Sequence, residues 1–247
     1  MTFGLDALAA RLGDAALVFD FDGTIAPIVP DPAAARPLPA LVAPLTDLSH
    51  RARAVAIVTG RPSSFVREVL DVPDAEVIGT YGLEDRPTVP ADVLERLRRA
   101  VDATPGALLE PKGVTVSVHV RHATREDADR LRSTVESIGR DAGLEAFEGK
   151  QVIELAPPGS RKRRAVAGVL ERTTPRAAMY AGDDLEDVGG FEALEAVDGP
   201  TVRVAVGGSE APDELLGIAD VVVEGPAGLH DLLVELVHDA GGGVDVA

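Results

Sequence analysis

Residues 15–20, AALVFD, form a short apolar run that stops at a carboxylate, with turn residues after it. Such a run predicts a buried strand over 15–20. A helical stretch follows at 39–53. AVAIVTG at 54–60 predicts a second strand, and Pro62 is placed to open a helix at its first position. AEVIGTYG at 75–82 predicts a third strand. Strands alternating with helical patterns imply a parallel sheet covered by helices. After residue 84 the rhythm changes. Residues 90–103 read as an amphipathic helix. VTVSVHVR at 114–121 alternates strictly, which predicts a strand with Val114, Val116, Val118 and Val120 on one face. Thr115, Ser117, His119 and Arg121 take the other face. A helix is predicted over 125–143, then a hairpin over 144–157 with EGKQ near its turn. From Lys162 the first rhythm returns, with a helix over 161–172 and strands at 176–184, 201–208 and 219–225. The tail GGGVDVA is expected to be disordered. The fold class is therefore α/β: a parallel-sheet core made of 1–83 and 158–247, with a smaller α+β module inserted at 84–157.

Composition narrows this picture. The chain has 247 residues, 45% of them hydrophobic, which suffices for one large core or two modest ones. Aromatics are only 3%, so the core must be built from Val, Leu, Ile and Ala. There is no cysteine. Disulfides, iron–sulfur sites, zinc fingers and thiol nucleophiles are excluded, and a reducing compartment fits. No run approaches the roughly 18 apolar residues of a membrane span. The first residues lack a basic segment followed by an apolar one. The expectation is a soluble, cytoplasmic protein without a membrane partner. A net charge of −17 disfavours binding to a nucleic-acid backbone. That charge is uneven. Residues 84–154 carry 11 Lys/Arg against 14 Asp/Glu, and the rest of the chain 13 against 27. The less acidic insert suits an anion-facing lid.

The chemistry concentrates where strands end. In LVFDFDGTIAP, residues 17–27, Asp20 and Asp22 stand two apart with Gly23-Thr24 behind them. Ligands of open α/β sheets bind outside the carboxyl ends of the strands. Asp20, Thr59 and Asp183 are each predicted at such an end, with Asp184 beside the last and Asp187 a turn further on. Carboxylates gathered this way repel one another unless a cation lies among them. Oxygen ligands without Cys or His point to Mg²⁺. Acids at i and i+2 near a strand end can point to one side. One can then act as nucleophile and the other as proton donor, a division that suits phosphoryl transfer through an aspartyl-phosphate. Gly23 permits a sharp turn, and Thr24 can donate a hydrogen bond. A calcium-binding acidic loop is the structural alternative, but EF-hand spacing is absent.

DFDGT at 20–24, VTGR at 58–61, Lys162 and GDDLED at 182–187 resemble the four motifs of the haloacid dehalogenase (HAD) superfamily of phosphotransferases, in order and over nearly the whole chain. The resemblance implies a Rossmann-like HAD fold with a C2-type cap. Under it Asp20 is the nucleophile. Asp22 protonates the leaving oxygen and then activates water. Thr59 hydrogen-bonds the phosphoryl group, and Lys162 offsets its charge. Mg²⁺ is held by Asp20, Asp183 and the backbone carbonyl of Asp22, supported by Asp184 and Asp187. Within the superfamily the chain is most similar to trehalose-6-phosphate phosphatases, through DFDGTIAPIVPDP (20–32), YGLE (81–84), EPKGVTVSVHVR (110–121), GKQVIEL (149–155) and GDDLEDVGGF (182–191). This likeness implies a small sugar-phosphate substrate contacted by Lys112, Arg121, Lys150 and Glu154; Gly60, Arg61, Glu84 and His119 complete the candidate substrate-binding set, and a monomer is expected. A merely solvated sheet face is the alternative for the cap residues. His122 lies on the opposite parity and reads as structural. Arg163 stands where the family usually has Gly, and Val188-Gly189-Gly190 where it usually has acids, so loop shape and substrate identity stay open. Other sugar phosphates remain candidates (sucrose 6-phosphate, mannosyl- or glucosyl-3-phosphoglycerate), as does a catalytically inactive sugar-phosphate-binding domain.

Overall fold

The structure, a computed structural model, describes residues 3–84, 88–149, 151–157, 161–207 and 211–241. Its internal contacts divide the chain into two units, Met1–Gly82 with Ser160–Ala247, and Leu83–Gly159.

The first unit is built on six parallel strands: β1 (Ala15–Phe19), β2 (Ala54–Val58), β3 (Glu76–Ile78), β8 (Ala177–Gly182), β9 (Thr201–Val206) and β10 (Val221–Val223). Their order is β10-β9-β8-β1-β2-β3. β1 is central and every one of its residues is buried, as expected when helices cover both faces of a parallel sheet. The period of two sorts its side chains. Leu17 and Phe19 enter one hydrophobic cluster with residues of α1 (Phe3–Ala9), α2 (Val42–Arg51), α3 (Ser63–Val69) and α9 (Gly225–Gly241). Ala16 and Val18 enter a second with residues of α6 (Arg161–Thr173), α7 (Val188–Ala193) and α8 (Asp213–Ile218). Chain order runs outward from β1 through β2 to β3 on one side and from β8 through β9 to β10 on the other. The switch point thus lies between β1 and β8, the place where such sheets open a crevice.

Every predicted strand of this sheet is present but shorter. The residues past Phe19, Val58 and Gly182 leave the ladder and turn. The largest departure is at 79–82, predicted as strand. Here Thr80 (φ 47°) and Tyr81 (φ 52°) adopt left-handed conformations, which β-branched and bulky residues seldom take. Backbone bonds hold the turn, from the Thr80 N–H to the Arg61 carbonyl at 2.8 Å and from the Tyr81 N–H to the Thr59 carbonyl at 2.9 Å. Pro62 precedes α3 rather than occupying its first position. Helix α9, which the sequence reading left unassigned, occupies most of the segment after β10, so the predicted disordered tail lies outside the described residues save Gly241.

The second unit is a four-stranded antiparallel sheet in the order β4-β5-β7-β6, formed by β4 (Leu108–Pro111), β5 (Val116–His119), β6 (Glu145–Gly149) and β7 (Val152–Ala156). Val116, Val118 and Val120 pack with Leu97 and Val101 of α4 (Ala91–Asp102) and with Leu131 and Val135 of α5 (Arg125–Asp141). The hairpin closes with Gly149 paired to Val152 and Gln151 at φ 64°.

Candidate active site

The ends of β1 and β8, on either side of the switch point, deliver the acids, and the end of β2 adds a threonine. Asp20 follows β1 and is still tied to the sheet, its N–H donating to the Ala181 carbonyl at 2.9 Å. Thr59 follows β2 and is buried; its hydroxyl accepts from the Arg61 N–H at 3.1 Å. Asp183 and Asp184 follow β8. Together with Tyr81 and Lys162 these side chains line a cleft of about 510 Å³.

Lys162 is the pivot. It sits near the start of α6 and is 2% exposed, yet its Nζ lies 3.1 Å from Asp20 Oδ1, 3.3 Å from Asp184 Oδ1 and 2.5 Å from Asp187 Oδ1. Burial alone would push a lysine toward neutrality. Asp20, Asp187 and Asp184 outweigh it and hold Lys162 protonated, well above the usual range.

Each acid has a distinct setting. Asp20 is 5% exposed, and burial raises its carboxyl well above the usual range; Lys162 opposes, while the other acids add to the rise. Asp183 is pushed up to about 7 by burial and by Asp187 and Asp184. Its Oδ1 accepts from the Thr24 hydroxyl at 3.2 Å. Asp187 is fully buried and pushed up to about 6, first by burial. Its Oδ1 accepts from the Tyr180 hydroxyl at 2.6 Å and from Lys162, and its Oδ2 from the N–H groups of Asp183 and Asp184 at 2.9 Å each. Asp184 stays below the usual range: burial opposes, but Lys162 and bonds to Asp187 prevail.

Ligand oxygens of Asp20, Asp183 and Asp187 come within 4.8 Å of one another. By distance the three could share an ion. By hydrogen bonding they differ, because both Asp187 oxygens already accept two bonds each. Asp187 holds the Asp183–Asp184 turn and Lys162, whereas Asp20 and Asp183 have fewer of their oxygens committed and could face a cation. Two glycines make this close approach feasible. A Cβ on Gly23 (φ 80°) would fall 2.0 Å from Asp183 Oδ2, and one on Gly182 would fall 2.1 Å from the Asp187 carboxyl carbon.

Asp22 stands apart from this trio. Its two oxygens are taken by the Arg61 fork, Nε to Oδ2 at 2.6 Å and Nη2 to Oδ1 at 2.7 Å. Gly60 lies under Tyr81, whose hydroxyl would be 2.8 Å from a Cβ at that position and which donates to Glu186 Oε2 at 2.9 Å. Tyr81 and Tyr180 were not anticipated as site residues. They are the only two tyrosines in the chain, and that scarcity was the available signal.

In the second unit, His119 Nε2 and Lys112 Nζ lie 2.8 and 3.5 Å from Glu110 Oε2. Glu154 pairs with Ser117 across β5 and β7. Thr115 and Ser117 are buried, not solvated as a plain exposed face would be. Arg121 lies in the turn beyond β5, so the predicted alternation stops short of it. Glu84 is exposed in a turn, and Lys150 lies outside the described residues.

A family model described as trehalose-phosphatase matches residues 18–90 and 85–214. The chain belongs to the trehalose-phosphatase family. It is 34% identical over 227 residues to a trehalose-phosphate phosphatase of Mycobacterium avium, covering 83% of this chain and 57% of that protein. It is 30% identical over 231 residues to that of Mycobacterium leprae, covering 83% and 53%. The chain thus spans little more than half the length of these family members. Among solved structures, an Aspergillus fumigatus trehalose-6-phosphate phosphatase superposes with a TM-score of 0.75 at 23% identity, covering 95% of this chain and 96% of that one. A haloacid dehalogenase-like hydrolase from Bacteroides thetaiotaomicron gives 0.68 at 12%, covering 90% and 99%. At these identities the two likenesses establish the HAD fold alone, and the family rests on the sequence matches.

Proposed function

We propose that the protein is a Mg²⁺-dependent phosphatase that hydrolyses trehalose 6-phosphate to trehalose and phosphate through a phosphorylated Asp20. The observation that carries this reading is the buried Asp20 within 3.1 Å of the Lys162 ammonium and within reach of Asp183. The donor set fits a hard divalent cation: three crowded carboxylates, all with raised proton affinity, and no sulfur or imidazole among them. Mg²⁺ bound by Asp20 and Asp183 would neutralise charge on the phosphoryl oxygens.

The protein's own groups account for the rest. Asp20 attacks phosphorus, and Lys162 stabilises the charge that builds on the transferring oxygens. Thr59, beside the nucleophile, offers its hydroxyl to the same group. Asp22 gives a proton to the departing sugar oxygen and then takes one from the water that releases phosphate. Asp184 and Asp187 keep Lys162 charged and in place. Residues 84–157 act as the cap, with Lys112, His119, Arg121, Lys150, Glu154 and Glu84 as the candidate sugar and phosphate contacts. On this reading the enzyme serves trehalose biosynthesis, as a cytoplasmic monomer.

Phosphate release from a panel of sugar phosphates, with Mg²⁺ and with a chelator, tests the reading. Trehalose 6-phosphate should be turned over fastest, and only with the metal. Asp20→Asn should abolish turnover, and mass spectrometry of acid-quenched wild type should find phosphate on Asp20. Rapid turnover of another ester with none of trehalose 6-phosphate would reject the substrate while sparing the chemistry.

A further inference from the structure

Arg61 lies in the second motif, beside the phosphoryl-binding Thr59, where a guanidinium would be expected to grasp substrate. Its surroundings argue otherwise. The fork accepts no freedom at Asp22, because two parallel bonds of 2.6 and 2.7 Å fix both carboxylate oxygens. Nη1 donates to the Pro32 carbonyl at 2.7 Å. The guanidinium carbon lies 4.5 Å from the centroid of the Phe65 ring and 5.8 Å from that of Phe21, and the two rings meet edge to face. The Arg61 side chain is only 17% exposed. To reach a ligand it would have to give up three hydrogen bonds and two ring contacts together. The residues that hold it come from three places: the turn after β1, the loop at Pro32 and the start of α3. They form a socket whose contents are aimed at one carboxylate.

We propose that Arg61 is a positioning residue that orients the Asp22 carboxylate for proton transfer, and not a ligand of the substrate's phosphoryl group. The inference rests on the reading above, in which Asp22 serves the leaving oxygen and the attacking water. Each Asp22 oxygen keeps a second lone-pair direction beyond the fork, where one oxygen carries the proton that goes to the leaving sugar oxygen and, once that proton has gone, can accept one from the attacking water. The fork's planarity matters, since an ammonium at this position could hold one oxygen but not the plane of the group.

A double-mutant cycle on trehalose 6-phosphate tests this with Arg61→Ala, Asp22→Asn and the pair. Proton transfer by a positioned side chain contributes on the order of 10²- to 10⁴-fold, so Arg61→Ala should lower kcat roughly 10- to 100-fold and change KM less than about threefold. In the Asp22→Asn background the same change should cost less than about twofold, because its target is already gone. Inhibition by inorganic phosphate should be unchanged in Arg61→Ala, and Arg61→Lys should recover only part of kcat. Circular dichroism and the melting temperature of each variant in Mg²⁺ separate these effects from misfolding. Additive losses in the double variant, or phosphate inhibition weakened about tenfold, would put Arg61 on the phosphoryl group and overturn the proposal. Wild type active only on another ester would reject the substrate, and the cycle would then be read on that ester. Wild type inactive on every ester would remove the proposal together with the reading.

Discussion

Gly23 shows how a single backbone position decides whether the acids can meet. Its φ of 80° is open to glycine at little cost, and its missing Cβ is the space that the Asp183 carboxylate fills. Gly23→Ala should leave the sheet intact, since neither β1 nor β8 contains the residue. It should drive Asp183 away from Asp20 and remove Mg²⁺-dependent phosphatase activity. The check is a far-ultraviolet spectrum like wild type alongside loss of Mg²⁺ binding by calorimetry; retained binding would contradict the geometry. Asp20, Asp22 and Asp183 were legible because chemistry confines paired acids at strand ends to few purposes. The Arg61–Asp22 fork, the Tyr180–Asp187 bond and the Tyr81 hydroxyl over Gly60 were not. Each joins positions 7 to 39 residues apart through side-chain direction, and no local spacing encodes that.

At the scale of elements, burial on both faces made the central strands easy to read and their ends hard. β1, β2 and β8 are near-continuous apolar runs, and periodicity located them. Their ends fall where the polar residues that line the cleft begin, so TG after β2 and DD after β8 read as strand in sequence and lie beyond the strands in space. The turn at 79–82 is the same effect taken furthest, because two non-glycine residues sit at positive φ for the sake of bonds to Thr59 and Arg61. The short helices α7 and α8, six residues each, are too brief for a 3.6-residue period to register. The insert's elements were clearer, since α4 and α5 each turn one apolar stripe to a sheet. Leu97, with 0% exposure, lies at the centre of that stripe. Leu97→Ala should destabilise this unit by about 2–5 kcal/mol, through lost burial and the cavity left behind. Hydrogen exchange should quicken at the amides of β5 and β7 while those of β1 and β8 stay protected; uniform quickening would mean that the two units unfold as one.

For the whole molecule, the question is how a chain of net charge −17 folds a cluster of acids beside its sheet and could then admit the phosphate ester proposed above. Without a cation the answer is protons. Burial raises Asp20, puts Asp183 at about 7 and puts Asp187 at about 6, all above the ordinary carboxyl range near 4. Between those limits the folded chain holds protons that the unfolded chain has released. Stability from these groups is therefore complete below about pH 4 and is lost as pH rises through 6 and 7. Mg²⁺ reverses the dependence, because it binds the deprotonated carboxylates and must displace whatever protons they carry. The gain in melting temperature on adding saturating Mg²⁺ should accordingly be larger at pH 8 than at pH 5.5. Calorimetry near pH 6 in buffers of different ionisation enthalpy should register proton release on binding. Asp183→Asn removes the group raised to about 7 along with a proposed ligand, so it should flatten the metal-free stability profile between pH 5 and 8 and abolish the Mg²⁺ response. An Mg²⁺ effect equal at both pH values would mean that the ion binds outside the cluster around Asp20 and Asp183, and Asp20, as the proposed nucleophile, would then lack the cation that the proposed attack on a dianionic ester requires.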